Sequence, residues 1–459
     1  MEYSMECDVI VVGGGLAGYC AAVEAAKQGA RALLVERERV IGGATVLSGG
    51  SFAFAGTDLQ ALHGYRDSPE MLFDDLRSVG GYRNDEAIVR TYAERQLDTY
   101  EWLRELGVKF DRLFIASGQS VPRAHSRNAR EVLEIVVREA ERRGVETRLS
   151  TRVTRLIRDP VSGRVTGVRI QTGGRETNIA ATRGVVLATG GFSRNERLLE
   201  LFAPAQAGAQ RMGGPGNQGD GLVMAWELGA GMRDMGYIKG TFGSHPSAGT
   251  EDHFILFPIY AGAIAVNLDG RRFTDESRSY KLIGDACLKQ REHRAFQIFD
   301  ARIFAASKDG IPAMDFRADL AAGRILSSPT LRGLAAMLDI DASRLEATIS
   351  AYNASAEQGA ADEFGRTSLC NGFGGLLTID NPPFYAYAST SVVLATYCGL
   401  AVDASTRVLN VFDEIIPGLQ AAGGVIGGFH GIAYMTGTAN GKAAVFGRIA
   451  GRMAAGAGS

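Results

Sequence analysis

The chain lacks a charge imbalance: 49 Lys and Arg stand against 51 Asp and Glu in 459 residues, a formal charge of −2. It therefore carries no electrostatic footprint for nucleic acid and no single-sign tail for a polyion partner. Paired cysteines are missing too. Cys7, Cys20, Cys287, Cys370 and Cys398 form no CxxC, no CxxCH haem-attachment pattern and no paired spacing, and an odd, scattered count suits a reducing cytosol. The six histidines never fall at metal-ligand spacing with cysteines or clustered carboxylates, so no metal is expected. No basic segment, apolar stretch and cleavage site open the chain. No charge-free apolar run of about 20 residues occurs, which argues against a membrane span. These absences lead to the expectation of a soluble, cytoplasmic, globular protein of two or three domains. Glycine, by contrast, is plentiful. Its 59 residues are roughly twice average usage of about 7% and cluster in short turns beside apolar runs, which rules out collagen-like or disordered chains.

The first forty residues hold the clearest pattern. Cys7-Asp-Val-Ile-Val-Val12 reads as a buried parallel strand and runs into Gly13-Gly14-Gly15-Leu16-Ala17-Gly18, a GxGxxG turn. A small-residue helix, Tyr19–Gln28, ends at Gly29, and a second strand, Ala32–Val35, finishes on Glu36. Gly13 allows the tight turn, Gly15 lets backbone approach a pyrophosphate, and Gly18 lets the helix pack close to the strand. The helix N-terminus offers free N–H groups and a positive dipole. Glu36, 18 residues beyond Gly18, stands where a carboxylate accepts hydrogen bonds from an adenosine ribose.

A second glycine-rich loop follows at once, Gly42-Gly43-Ala44-Thr45-Val46-Leu47-Ser48-Gly49-Gly50, and suits a cofactor longer than NAD. Further on, Gly184–Phe192 reads as a buried strand ending in Ala188-Thr189-Gly190-Gly191, which by composition alone fits any core strand with a turn and in an FAD site would bring bare backbone beside the adenine half. Together these residues resemble the flavoprotein family of fumarate reductases and succinate dehydrogenases, whose relatives include 3-ketosteroid dehydrogenases and tricarballylate dehydrogenase. The likeness continues through Gly219-Asp220-Gly221, Gly270–Glu276, Pro417–Gly423 and Phe446–Gly451, covering essentially the whole chain. It implies FAD contacts at Gly13, Gly14, Gly15, Ala17, Gly18, Glu36, Gly43, Ala44, Thr45, Ser48, Gly49, Val153, Ala188, Thr189, Gly190, Asp220, Gly423, Gly437, Thr438 and Ala439. Attachment should be noncovalent, because Ala44 holds the place of the linking His of complex-bound relatives. The acidic residue that often follows the late Ala-Gly is absent, since Gly424 stands there.

The resemblance implies an α/β fold: a Rossmann-like FAD-binding domain, with a parallel sheet and a β-meander, interrupted by an α+β capping domain. The expected spans are 1–239, 240–395 for the cap, and 396–459 for the return. Val145–Ile179 reads as the meander, turning at Ser162-Gly163 and Gly173-Gly174, and Arg332–Gln358 as a helical stretch of the cap. A cap of this kind closes over the flavin and excludes water.

What the family's active site has lost is more telling. The catalytic Arg that follows Arg-Phe-x-Asn/Asp-Glu is replaced by Tyr280, four residues beyond Glu276. In His430-Gly431-Ile432-Ala433-Tyr434, Tyr434 replaces the second cation. His-His-Thr-Met-Gly-Gly becomes Leu394-Ala395-Thr396-Tyr397-Cys398-Gly399, and the usual His-Pro is missing from Tyr237–Thr241, with His245-Pro246 arriving late. A buried dicarboxylate without its cations would cost several kcal/mol in desolvation, which disfavours fumarate. In 3-ketosteroid dehydrogenases tyrosines hold both places, and Tyr434–Gly441 resembles their C-terminal loop, with glycine spacing closer to the Δ4 type than the Δ1 type. The resemblance thus implies a ketone and its α,β-unsaturated counterpart as substrate pair. Tyr434 would polarise the carbonyl and Tyr280 handle the α-proton, while hydride passes between the β-carbon and flavin N5. A free phenol has a pKa of about 10, so Tyr280 as base needs a lowered pKa or a relay.

Two rivals stand beside this reading. One is a fumarate reductase-like enoate reductase or tricarballylate-type dehydrogenase, holding a carboxylate through Arg278 or Lys281. The other is an electron-transfer subunit of a membrane complex, disfavoured by the missing linking His. The electron acceptor or donor is not readable, and a monomer or homo-oligomer is expected. Ser120–His125 resembles a cofactor-proximal stretch of the family, with His125 read as structural, and Arg138–Arg143 as a solvated helix face with i,i+4 pairs.

Overall fold

A computed structural model of the protein describes residues 2–250, 252–311, 313–369 and 374–456; Cys370 lies outside the described residues. The chain groups into two compact units. One comprises Met1–Ala203, Gly213–Ile238 and Ala395–Ser459, the other Pro204–Met212 and Lys239–Leu394.

The first unit is built on an eight-stranded sheet. At its centre lies Met5–Val12, whose Val9, Ile10 and Val11 are fully buried, as an apolar strand covered on both faces must be. It pairs in parallel with Ala32–Val35 on one side and Arg175–Leu187 on the other; Glu146–Arg148 and Ile415–Ala421 extend the parallel order outward. The α/β fold is thus the observed one. The antiparallel meander comprises Arg152–Arg158, Val165–Thr172 and Arg175–Leu187. Glu146–Arg148, which the alternating pattern assigns to the meander, instead joins the parallel sheet beside Ala32–Val35.

Helix Leu16–Lys27 packs against helix Ala129–Arg142 and against the late helix Thr438–Ala454. The second contact is unusually close. A Cβ on Gly447 would stand 2.5 Å from Ala17 O, and one on Gly451 would stand 2.1 Å from Ala21 O, so only glycine fits at either place. Glu24, buried in the same seam, receives Arg448 Nε at 3.0 Å and Arg452 Nε at 2.8 Å. On the outer face of Ala129–Arg142, Glu139 pairs with Arg142 and Arg143.

The second unit has a six-stranded sheet around Phe384–Val393. This strand pairs antiparallel with Thr241–Ser244, Ala295–Asp300 and Ile325–Ser328, and Ala295–Asp300 in turn pairs with Ile264–Asn267. Helix Tyr280–Cys287 packs on Thr241–Ser244 and on the central strand. The expected helix over Arg332–Gln358 is two helices, Leu331–Leu338 and Ala342–Gln358. The first ends on Asp339 in the left-handed region (φ 55°), and Asp341 caps the second by accepting Arg344 N–H at 2.7 Å. A continuous apolar periodicity hid this break.

Candidate active site

The glycine turn is closed by backbone. A Cβ on Gly13 would lie 2.3 Å from Ala188 O, and one on Gly18 would lie 1.9 Å from Gly13 O. These two glycines therefore serve the strand–helix packing and bring Gly13 against Ala188 and Thr189. Gly15 differs: the nearest atoms to its Cβ would be Thr45 Oγ1 at 3.6 Å and Gly42 O at 3.8 Å. Its surroundings have room for a ligand, as a backbone that meets a pyrophosphate requires. Gly43 and Gly49 likewise face open space.

Glu36 ties the turn to the second strand. Its Oε2 accepts Gly14 N–H at 2.6 Å and its Oε1 accepts Glu38 N–H at 2.8 Å. Thr45 Oγ1 accepts Leu16 N–H at 3.1 Å, joining the second glycine loop to the helix N-terminus. Gly214 presses on Gly43 and Ala44, and Asn440 Nδ2 donates to Ser48 Oγ at 3.0 Å. On the far side, Gly423 meets Ala17, and Gly424 meets Gly190 and Gly191. A Cβ on Gly424 would stand 3.3 Å from Gly190 Cα, a tight contact that requires the neighbouring backbone to give by a few tenths of an ångström. Thr189 Oγ1 is buried with no hydrogen-bond partner and lies against Gly221, where a Cβ would stand 2.3 Å from it. Open backbone at Gly15 and a fixed carboxylate at Glu36 fit a dinucleotide cofactor.

The other expected contacts come from several elements. Val153 is buried in Arg152–Arg158, two residues beyond Thr151, whose N–H donates to Glu36 O at 2.9 Å. Asp220 begins helix Asp220–Glu227, but its two carboxylate oxygens are taken by Arg37 and Arg152, each at 2.8 Å. Gly437 caps helix Thr438–Ala454 with φ 92°, and its carbonyl accepts Ala53 N–H at 3.1 Å. The Thr438 hydroxyl donates to Met435 O at 2.6 Å, and Ala439 follows in the first turn.

Tyr434 belongs to the first unit. Its hydroxyl oxygen accepts Gly437 N–H at 3.2 Å, so the phenol sits at the N-terminus of a 17-residue helix. Burial pushes its pKa up, while the backbone N–H groups of Gly437 and Ala439 act in the opposite sense. Its ring stacks on Tyr397 at 4.7 Å and 23°, and His430 lies 5.5 Å away. Tyr397 escaped the sequence reading. It lies in the run where the family's two histidines are missing, and a single tyrosine there makes no spacing pattern.

Tyr280 belongs to the second unit. It opens helix Tyr280–Cys287, is 8% exposed and stacks on Phe257 at 5.2 Å and 18°. The neighbouring Lys281 is buried, with Nζ donating to Thr241 Oγ1 at 2.8 Å and Lys239 O at 3.1 Å, and burial lowers its pKa to about 7. Arg278 instead lines a cavity of about 320 Å³ with Leu282, Asp285 and Lys289. Glu276 is enclosed by Arg272 (2.6 Å) and Arg366 (3.0 Å), with Asp362 also on Arg272 (2.7 Å), a buried ion cluster that holds the Arg-Phe-x-Asp-Glu turn.

His125 is fully buried. Its Nδ1 lies 2.8 Å from Arg123 O, a pure acceptor, so that nitrogen carries the proton and Nε2 accepts from Thr57 Oγ1 at 2.8 Å. Burial lowers its pKa to about 4. Arg123 beside it pairs with Asp67 and Asp75, so the stretch is a structural core. Cys7, Cys287 and Cys398 are buried with thiols pushed up to about 12, unsuited to nucleophilic work. Among the described residues no group of three His, Cys, Asp or Glu can hold a metal ion, and no helix is long and apolar enough to cross a membrane.

Fold and glycine cradle define a flavin-dependent oxidoreductase, and comparison with known proteins agrees. The model of the FAD binding domain family matches residues 8–439. The cytochrome-type fumarate reductase of Shewanella frigidimarina is 31% identical over 455 residues, covering 98% of this chain and 77% of that protein. The open conformation of a flavocytochrome c3 fumarate reductase superposes with a TM-score of 0.83 at 30% identity, covering 99% of this chain and 78% of the other. The 3-ketosteroid-Δ4-(5α)-dehydrogenase of Rhodococcus jostii RHA1, in complex with 4-androstene-3,17-dione, gives a TM-score of 0.80 at 28% identity, covering 99% and 98%. The chain belongs to the FAD binding domain family, in its fumarate reductase group. It is an FAD-dependent oxidoreductase acting on CH–CH bonds.

Proposed function

We propose that the protein interconverts a cyclic or steroid-like ketone and its α,β-unsaturated counterpart, with FAD held noncovalently. The observation that carries this reading is the state of Tyr434. Its oxygen already accepts a backbone N–H at a helix N-terminus, which leaves its own proton to donate to a carbonyl oxygen. Such a donor strengthens as negative charge develops on that oxygen, and the α-proton becomes acidic in response. In the desaturating direction the Cα–H bond breaks as a proton taken by Tyr280 or through it, and the Cβ–H bond breaks with its electron pair as the C=C bond forms. FAD supplies the two-electron centre that takes up or gives back that hydride. The Tyr397–Tyr434–His430 cluster adds apolar faces rather than cations, which suits an uncharged, flat substrate.

The carboxylate reading draws support from the 31% identity to a fumarate reductase. Of the two cations it would use, Lys281 is committed to Thr241 and Lys239, and Arg278 lines a cavity with Asp285 and Lys289. An anaerobic titration of the oxidised protein with a saturated cyclic 3-ketone, followed by visible flavin absorbance, tests the choice. Bleaching is expected. Persistent colour, followed by reoxidation of chemically reduced protein by fumarate but not by a cyclic enone, would replace the ketone with a carboxylate.

A further inference from the structure

Tyr397 has a backbone that aromatic residues seldom adopt: its φ is 56°, in the left-handed region where a Cβ crowds the chain. Such conformations persist where the surroundings over-determine them, and they gather at functional sites. Both flanks of Tyr397 are pinned. Thr396 is buried against Gly191, where a Cβ would come within 2.3 Å of its hydroxyl. Cys398 is 1% exposed, and Gly399 packs so closely on Val425 that a Cβ would stand 1.9 Å from Val425 O. Held from both sides, the residue lays its ring over Tyr434 with centroids 4.7 Å apart and planes 23° from parallel. His430 stands edge-on to Tyr397 at 4.8 Å and 68°, bracing the pair.

We propose that Tyr397 is a positioning residue for Tyr434: its ring fixes the plane of that phenol and keeps the hydroxyl on Gly437 N–H with its proton available to substrate. The last part rests on the reading of Tyr434 as the carbonyl donor; the pairing itself does not. Burial that raises the Tyr434 pKa is consistent with a ring lying over its face. A phenol free to rotate would exchange the Gly437 contact for water and lose its aim, because proximity effects depend on orientation held in advance.

The test uses FAD-loaded protein labelled with 13C at tyrosine Cζ, the Tyr434 resonance being assigned by its loss in Tyr434→Phe. Tyr397→Leu should shift that resonance and lower its titration midpoint, whereas Tyr397→Phe, which keeps the ring, should leave both in place. Tyr397→Asn is the second variant, since Asn tolerates the left-handed region and removes the ring without adding strain; it should behave like Leu. With a saturated cyclic 3-ketone as probe, Tyr397→Leu should lower the rate of flavin bleaching at least tenfold and Tyr397→Phe less than twofold. In a Tyr434→Phe background the Leu change should cost nothing further. A Tyr434 resonance unmoved by both Leu and Asn, or a Phe variant as altered as Leu, overturns the proposal. A shifted resonance with wild-type bleaching in Tyr434→Phe keeps the positioning and removes the carbonyl role.

Discussion

Glu36 Oε2 lies 2.6 Å from the amide nitrogen of Gly14, and the same carboxylate also receives Glu38 N–H. The end of the second strand and the glycine turn are therefore one hydrogen-bonded unit. Each oxygen spends one lone pair on backbone and keeps another for a ribose hydroxyl. Glu36→Gln should break this arrangement, because the amide must direct its NH2 group at a backbone donor. The expected outcome is a loss of about 1–3 kcal/mol in stability and at least tenfold in FAD affinity. Denaturant unfolding of the apoprotein and fluorescence titration with FAD measure the two effects.

The glycines of the turn differ in the space around them. Gly18→Ala would drive a Cβ to 1.9 Å from Gly13 O, which backbone cannot yield, so the apoprotein should lose several kcal/mol. Gly15→Ala meets nothing closer than 3.6 Å and sits at a negative φ, so the apoprotein should melt within a few degrees of wild type. Its FAD affinity should nevertheless fall tenfold or more. Equal affinity in Gly15→Ala and wild type would remove the pyrophosphate from that position.

For the chemistry, Tyr280→Phe should retain flavin and bind substrate while losing a factor of about 100 or more in rate. Tyr434→Phe should weaken both binding and turnover, since it removes a donor that acts in ground and transition states alike. Steady-state kinetics with a responsive ketone distinguish the two patterns. Full activity in Tyr280→Phe would remove that residue from the proton path.

Acid stability should report on His125. Its pKa falls from 6.5 unfolded to about 4 folded, so the folded state binds fewer protons between those values. Stability present above pH 6.5 is then lost as pH drops toward 4, by up to about 3 kcal/mol from this residue. Denaturation midpoints across pH 4–7 should show a steeper decline for wild type than for His125→Asn. Parallel curves would mean that other groups govern the acid limb.

Much of the first unit was legible because its constraints are local. The apolar run to Val12, Gly13–Gly18 and Glu36 lie within one strand–helix–strand stretch, and each residue type has one physical task there. Gly424 is legible only as a missing acid; its close approach to Gly190 and Gly191 is a contact between segments more than 200 residues apart. Asp220 is expected as a cofactor contact from the resemblance; its ion pairs with Arg37 and Arg152 join distant elements and leave no local pattern. The break at Asp339 was masked by apolar residues on both sides of it. Tyr397 carried no pattern at all, since a stacked pair and a positive φ leave no spacing to read.

The seam between helices Leu16–Lys27 and Thr438–Ala454 has a consequence for biosynthesis. Glu24 meets Arg448 across 424 residues of sequence. At about 5–20 residues per second, the small-residue face of the first helix stays bare for roughly 20–80 s before its partner is made. The parallel strand Ile415–Ala421 arrives nearly as late, so the nucleotide-binding unit closes only after both late partners have been made. During that interval the nascent chain presents an unpaired sheet edge and an apolar helix face, surfaces that chaperones bind. Gly423, which packs on Ala17 of the first helix, joins the glycine turn only after that wait ends.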